Sequence, residues 1–574
     1  MAKLAKLADQ APEGLPAYRL AVIGDCATQH ISKAIKGTGV SRGVSIEILD
    51  TDYDQILAQT SDPGSELYSF SPDGVLIMMC TEKLYAKYTS VPAGERTGFA
   101  DGVFAWISAR WAELSASLPG VSILQSLFTE YDDRVYGSFA SRLPHSFIYQ
   151  LRRLNMLLSD GAAAAKNVYP VDLAYLCGQM GAAAHSERMY AVAKLPFSTE
   201  AIPGVAAAVT DIILALKGKS VKCLVLDLDN TLWGGVVGDD GTDGIQLGDY
   251  GTGRAFTVFQ TWLLELKRRG ILLAVCSKND EDKAKDPFIN HPDTVLRLTD
   301  FAMFVANWND KPSNIRMIRD TLNIGMDSLV FIDDNPFERE AVRSLIPEIT
   351  VPEMPEDPAE YVPFLRSLGL FETVSYSEED SGRTDMYRAE AGRMLAAKSS
   401  ENYSDYLAGL GMTAEAAPFS PFWYPRIAQL SQRSNQFNLR TVRYTEAGIE
   451  EAARDPGCVT LYFTLRDRFG DSGLISAVIM RKTDEETLFV DTWIMSCRVL
   501  KRTMEEFIVN SMIEAAKAAG YKKVVGEYLP TKKNGMVADI YPRMGFTEAG
   551  GGRFVADTGN FKPLDTFISR RENS

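Results

Sequence analysis

Tyr18–Ile23, Val44–Leu49, Val75–Met79 and Val121–Leu124 are short, mostly apolar runs. That pattern belongs to strands covered on both faces. Helical stretches separate them, Phe99–Leu118 among them, and the alternation predicts a doubly wound α/β module over 1–217. A second alternation occupies 218–371. Its strands are Cys223–Leu226, Ile271–Val275, Phe301–Trp308 and Leu329–Ile332. Phe256, Phe259, Leu263 and Leu266 recur at helical spacing and predict a helix over Arg254–Arg269, ended by Gly270. Ser313–Leu322 is a second helix. The glycines and aspartates of Trp233–Gly248 predict a tight hairpin-like flap, not a helix. Charged, Ala-rich Ser377–Ser400 predicts a connecting helix within a linker over 372–414. From Phe419 the order changes, and 415–574 is expected to be an α+β module. It holds a helix at Tyr424–Ser434, strands at Val459–Leu465, Leu474–Met480 and Leu488–Ser496, a long helix after Arg498, and a strand at Val524–Leu529.

Composition narrows the classes. A chain of 574 residues suggests roughly three or four domains. Hydrophobic residues at 46% and charged residues at 24% are those of an ordinary soluble protein. A net charge of -15 argues against a nucleic-acid partner. No apolar run reaches the ~18 residues of a membrane span. The first residues, MAKLAKLADQAPEG, lack the apolar core of a signal peptide and read as a frayed tail. The 7 cysteines form no CxxC pair, so free thiols in a reducing cytoplasm are expected. The 4 histidines are dispersed, which argues against zinc.

The chemistry concentrates after Leu226. Asp227 and Asp229 stand at the carboxyl end of a buried strand, where open α/β sheets place their sites. Strand alternation points both carboxylates to one side, and they repel unless a cation joins them. The Asp-x-Asp-x-Thr pattern of Asp227, Asp229 and Thr231 resembles the first motif of haloacid dehalogenase-like phosphatases and phosphotransferases. Ser277, Lys311 and the pair Asp333–Asp334 match the three later motifs in order. The resemblance implies that Asp227 is the nucleophile and Asp229 the acid/base. It implies that Thr231, Ser277 and Lys311 bind phosphate. Asp227, Asp229, Asp333 and Asp334 are then expected to form a Mg2+ site. The gaps between motifs are too short for a large cap, and an open site suits a macromolecular substrate.

The longer string DLDNTLWGGVVGDDG is similar to FkbH-like proteins, and TDYDQI, YAVAKLPFS and RDRFGD extend the likeness over nearly the whole chain. The family implies a glyceryl group taken from a bisphosphoglycerate, an acyl phosphate. The acyl group then passes through an enzyme thioester to an acyl carrier protein with a phosphopantetheine arm. In that resemblance CSKN carries the acceptor thiol, Cys276. Gly325–Leu329 imitates a carrier-protein serine motif, but Ser328 runs into a buried strand, so no built-in carrier is expected. A plain phosphatase of surface polysaccharide or lipid synthesis, or an assembly module with binding-only outer domains, are the alternatives.

Two weaker resemblances flank the centre. Gly24–Asp25–Cys26 resembles the Gly-Asp-Ser turn of SGNH hydrolases. Tyr175 stands where the histidine partner of Asp172 belongs, and His185 misses the spacing. A non-catalytic SGNH/flavodoxin-like module is therefore expected, with Cys26 as a nucleophile the alternative. The C-terminal order resembles a GNAT fold, but Arg498–Thr503 lacks the glycines of a coenzyme A turn, so Lys501 and Thr503 are expected to block it. A carrier-docking module and a working transferase both stay open. Lys501, Arg502, Lys522, Lys523, Lys532 and Lys533 are the candidate docking cations, with Cys497 a further candidate thiol.

Overall fold

The computed structural model describes residues 2–8, 12, 14–131, 133–376, 384–389, 392–393, 402–434, 437–444, 446–496, 499–531 and 534–571. The connecting helix expected over Ser377–Ser400 falls largely outside them, as do Cys497, Lys532 and Lys533.

The chain is a mixed α/β protein built on three sheets. The N-terminal sheet comprises β1 (Ala17–Gly24), β2 (Ser45–Asp50), β3 (Gly74–Met78), β4 (Ser122–Ser126) and β5 (Val168–Val171). All its pairings are parallel and the order is β2-β1-β3-β4-β5, that of flavodoxin-like doubly wound sheets. Strand alternation sorts its side chains into two cores. Ala21, Ile23, Val75 and Ile77 pack under the helices Phe99–Ser117 and Phe147–Ala164. Leu20, Val22, Leu76 and Met78 pack on the other face, with Gln29–Ser41 and Ile202–Leu216.

The central sheet has the order β8-β7-β6-β9 and joins β6 (Cys223–Leu226), β7 (Leu272–Ser277), β8 (Phe301–Ala306) and β9 (Leu329–Ile332). Every residue of β6, β7 and β9 is buried, as their unbroken apolar runs require. Ser328 lies in a 3-10 turn leading into β9, and its carbonyl accepts from Lys222 N–H.

The C-terminal sheet orders β10 (Thr413–Ala417), β11 (Cys458–Asp467), β12 (Gly470–Lys482), β13 (Thr487–Met495), β14 (Lys523–Glu527), β15 (Thr547–Gly550), β16 (Arg553–Asp557) and β17 (Ser569–Arg570) as β15-β16-β14-β13-β12-β11-β10-β17. β10 to β13 form an antiparallel run, whereas β13 and β14 pair in parallel only from Thr487–Lys523 to Phe489–Val525. Met504–Ala518 crosses between them as a helix. Phe463 and Leu465 face the core that includes this helix; Tyr462 faces the other, with Tyr424–Arg433.

Among the described residues, no helix is long and apolar enough to cross a membrane.

Candidate active site

The carboxyl ends of β6, β7 and β9 and the helix after β8 bring the predicted residues together. Carboxylate oxygens of Asp227, Asp333 and Asp334 lie within 4.8 Å of one another. Asp227 directly follows β6, and the two later acids directly follow β9. Lys311 opens the helix Lys311–Leu322, and its Nζ lies 3.1 Å from Asp227 Oδ1. Both side chains are nearly buried, so this ion pair is poorly screened. Asp227 Oδ1 is otherwise a buried oxygen with no hydrogen-bond donor among the described residues. Thr231, in the turn that follows β6, and Ser277, the last residue of β7, are both buried.

Asp229, also expected as a ligand, has its carboxylate outside this acidic group. Both of its oxygens are occupied. Trp233 Nε1 and Val237 N–H donate to Oδ1 at 2.9 and 3.0 Å, and Asn279 Nδ2 donates to Oδ2 at 3.1 Å. Burial raises its pKa, and the nearby Asp227 charge adds to that; Val237, Trp233 and Lys311 work the other way. An acid held protonated higher up the pH scale suits the role of proton donor.

The flap that supplies Val237 is also not the plain hairpin expected. Gly234 and Gln246 do pair as an antiparallel bridge. Between them Val237–Asp240 turns once as helix, because Asp240 Oδ2 accepts from Val236 N–H at 2.8 Å and Gly241 ends the turn at φ 68°. Gly234 is required by close approach: a Cβ there would meet Phe256 at 2.9 Å and Gln246 at 3.0 Å.

Three residues of this centre carry no sequence signal for their roles. Trp233 and Asn279 fall inside strings with a family likeness, yet only folding places them on Asp229. Arg339 is an ordinary arginine of the helix Pro336–Leu345 in sequence. In the structure it is buried and its Nη1 donates to the carbonyls of Asp333 and Asp334 at 3.0 and 2.7 Å. It fixes the backbone that carries both acids.

Cys276 is the penultimate residue of β7, beside Ser277, and is fully buried, its thiol 3.8 Å from the Lys311 carbonyl. Cys26 is buried too, hydrogen-bonded to Cys80, and that bond and burial push its thiol well up. Asp172, the other half of the SGNH-type resemblance, accepts from Tyr175 N–H at 2.9 Å as a helix cap.

Residues 19–214, which hold nearly all of the N-terminal sheet, match the model of the FkbH N-terminal domain. A solved structure is similar over far more. It is the N-terminal part of the protein BF1531 from Bacteroides fragilis, containing a phosphatase domain complexed with Mg, at 43% identity and a TM-score of 0.63. The match covers 65% of this chain and 99% of that one. The chain belongs to the FkbH-like family. No curated protein matches it. Ard1 from Thermoplasma volcanium is 12% identical over 25% of this chain and 95% of its own, with a TM-score of 0.20. An acetyltransferase of the GNAT family from Streptococcus pneumoniae is 13% identical over 25% and 96%, also at 0.20. Likeness that slight carries no conclusion for the C-terminal module of this FkbH-like chain.

Proposed function

We propose that the central module is a Mg2+-dependent phosphatase of the haloacid dehalogenase-like type, and that it serves transfer of a glyceryl group to an acyl carrier protein. The observation that carries the phosphatase reading is the meeting of Asp227, Asp333 and Asp334 with Lys311 at one end of the sheet. Three carboxylates so close repel, and one lysine offsets only part of their charge. The donor set is all oxygen, and Asp227 Oδ1 is buried without a hydrogen-bond donor, which fits a hard divalent cation. Asp227, Asp333 and Asp334 would hold it. When bound, the ion offsets charge on the phosphate and on the nucleophile.

The chain's own residues perform the steps. A carboxylate oxygen of Asp227 attacks phosphorus; the new O–P bond forms as the bond to the leaving oxygen breaks. Asp229 gives its proton to that oxygen. As a carboxylate it then takes a proton from the water that attacks the aspartyl phosphate, releasing inorganic phosphate and restoring Asp227. Trp233, Val237 and Asn279 keep Asp229 aimed, and Ser277, Thr231 and Lys311 receive the phosphate.

Acyl transfer is assigned to Cys276. Its thiolate attacks the acyl carbon of an acyl phosphate, phosphate leaves, and the thioester is exchanged onto the carrier's phosphopantetheine thiol. In this reading the Lys311 carbonyl must part from the thiol before it reacts. The buried state of Cys276 favours the alternative of a plain phosphatase, so the two are separated by experiment. The full chain is incubated with Mg2+ and a bisphosphoglycerate, and its intact mass is measured. A glyceryl adduct supports transfer; phosphate release with no adduct supports the plain phosphatase. Asp227→Asn should release no phosphate from a simple phosphomonoester.

A GNAT-like C-terminal module is proposed as a carrier-docking domain, not a coenzyme A enzyme. Lys501 and Thr503 adopt left-handed φ of 63° and 59°, so the turn keeps a glycine-type backbone without glycine. Its polar groups are already taken. Lys501 N–H donates to Glu505 Oε1 at 3.1 Å, Tyr403 Oη donates to the Lys501 carbonyl at 2.6 Å, and Thr503 Oγ1 accepts from Phe567 N–H at 3.0 Å. Glu505 and Glu506 in the first helical turn repel a pyrophosphate. Arg502 is buried against Asp467 and leaves the docking set, and Lys522 is paired with Glu486 at 2.5 Å. Of the candidate docking cations that are described, Lys501 and Lys523 remain exposed and outside these pairs.

A further inference from the structure

We infer that the N-terminal module carries a second ligand site, a cleft at the carboxyl ends of β1 and β3 that takes a small carboxylate with an apolar body. The strand order reverses at β1: the chain goes to β2 on one side and to β3 on the other. The crevice at such a switch point is where open parallel sheets bind ligands. A cavity of about 390 Å³ lies there, a size suited to a small molecule.

Two stretches singled out in the sequence converge on it. Asp25, from Gly24–Asp25–Cys26, lines the cleft although it is only 6% exposed, and its Oδ1 accepts from Cys80 N–H at 2.9 Å. Asp54, from TDYDQI, lines it as well. It is held in the left-handed region at φ 63° with its N–H donating to the Gly24 carbonyl at 3.0 Å. Asp54 pairs with Lys83, so those two charges cancel. Lys87 lies one turn further along the helix Thr81–Ser90, with its ammonium 5.9 Å over the Trp106 ring. Among the described residues it is in no ion pair. Leu57, Leu84, Val103 and Trp106 supply an apolar wall.

The charges select the ligand. Lys87 is the uncompensated cation, and a single cation matches a monoanion better than a phosphate, which needs several donors. Burial raises the pKa of Asp25 to about 6, which weakens its repulsion of an anion, and its Oδ1 is already occupied by Cys80 N–H. Covalent chemistry is not part of the site: Cys26 does not line the cleft, and its thiol is turned into the core against Cys80.

Isothermal titration of the full chain with octanoate tests this, with octylammonium and octanamide as controls. Octanoate should bind with a submillimolar Kd, and both controls should bind at least about tenfold more weakly. Lys87→Glu and Leu57→Asp change exposed side chains, which spares folding, and phosphate release by each variant serves as the check. Each should weaken octanoate by about tenfold or more. No heat with octanoate at millimolar concentration, equal binding of octanamide, or unchanged affinity in both variants would overturn the proposal.

Discussion

Lys311 Nζ sits 3.1 Å from Asp227 Oδ1, the one cation placed directly on the proposed nucleophile among the described ion pairs. The lysine orients Asp227 and lowers the repulsion it suffers from Asp333 and Asp334. Lys311→Met should therefore do two things. Phosphate release should fall by about 10²-fold or more, as for loss of a charge-stabilising group. Thermal stability measured in chelator should drop by about 3 kcal/mol, since a buried carboxylate loses its partner. Added Mg2+ should recover much of the stability and little of the activity. A variant with unchanged unfolding in chelator would show that the pair contributes nothing to the fold.

Much of this centre was legible in the sequence because β6, β7 and β9 are buried on both faces and read as unbroken apolar runs ending in polar tips. The same logic failed where burial is partial. Thr547–Gly550 is exposed throughout its length, so no hydrophobic pattern marks it as a strand. Thr413–Ala417 is Ala-rich and carries little strand propensity. The flap's helical turn depends on one side-chain contact, Asp240 to Val236, that composition does not reveal. At Lys501 and Thr503 the missing glycines were legible, but not that the backbone still adopts the left-handed region, held there by its own neighbours. Trp233, Asn279 and Arg339 act through contacts between separate loops, which one sequence without its fold does not pair.

Asp25 gives a pH signature. Burial moves its carboxyl from 3.8 to about 6, so the native state holds a proton that the unfolded chain has released. The stability this contributes is complete below about pH 3.8 and is lost as pH rises through about 6. Asp25→Asn keeps an oxygen for Cys80 N–H and never ionises. Relative to wild type it should gain up to about 3 kcal/mol between pH 4 and pH 8. Hydrogen exchange of the β1 and β3 amides at the two pH values reads this in the module concerned. A variant-to-wild-type difference that stays constant with pH would remove Asp25 as the titrating group.

Arg393 and Asp467 form the most deeply buried ion pair described, with side-chain exposures of 4% and 0% and two bonds of 2.6 and 2.9 Å. Asp467 also accepts from Phe469 N–H at 2.9 Å, at the turn between β11 and β12. Asp467→Ala removes the carboxylate shared by the buried Arg393 and Arg502 guanidinium groups and should destabilise the C-terminal module by about 3–5 kcal/mol. Adding Arg393→Met should restore part of that loss, because one of the two buried charges facing the lost carboxylate is then gone. Chemical denaturation followed by tryptophan fluorescence would check both. If the double variant is no better than the single one, the pair's value lies in packing and not in charge.

Cys276 offers the sharpest division between the two proposed activities. It is buried against the Lys311 carbonyl, and truncating it removes one sulfur from a packed strand end. Cys276→Ala should cost about 1 kcal/mol through the small cavity it leaves. Asp227, Asp229 and the acidic group keep their places, so phosphate release from a simple phosphomonoester should stay within about threefold of wild type. The glyceryl adduct seen by intact mass should vanish, and with it transfer to the carrier. Iodoacetamide should label the wild-type thiol slowly in the resting protein and faster once an acyl phosphate is bound, because the thiol must be uncovered to react. Should the variant still form an adduct of the same mass, the acyl group is held elsewhere and Cys276 is a structural thiol of β7.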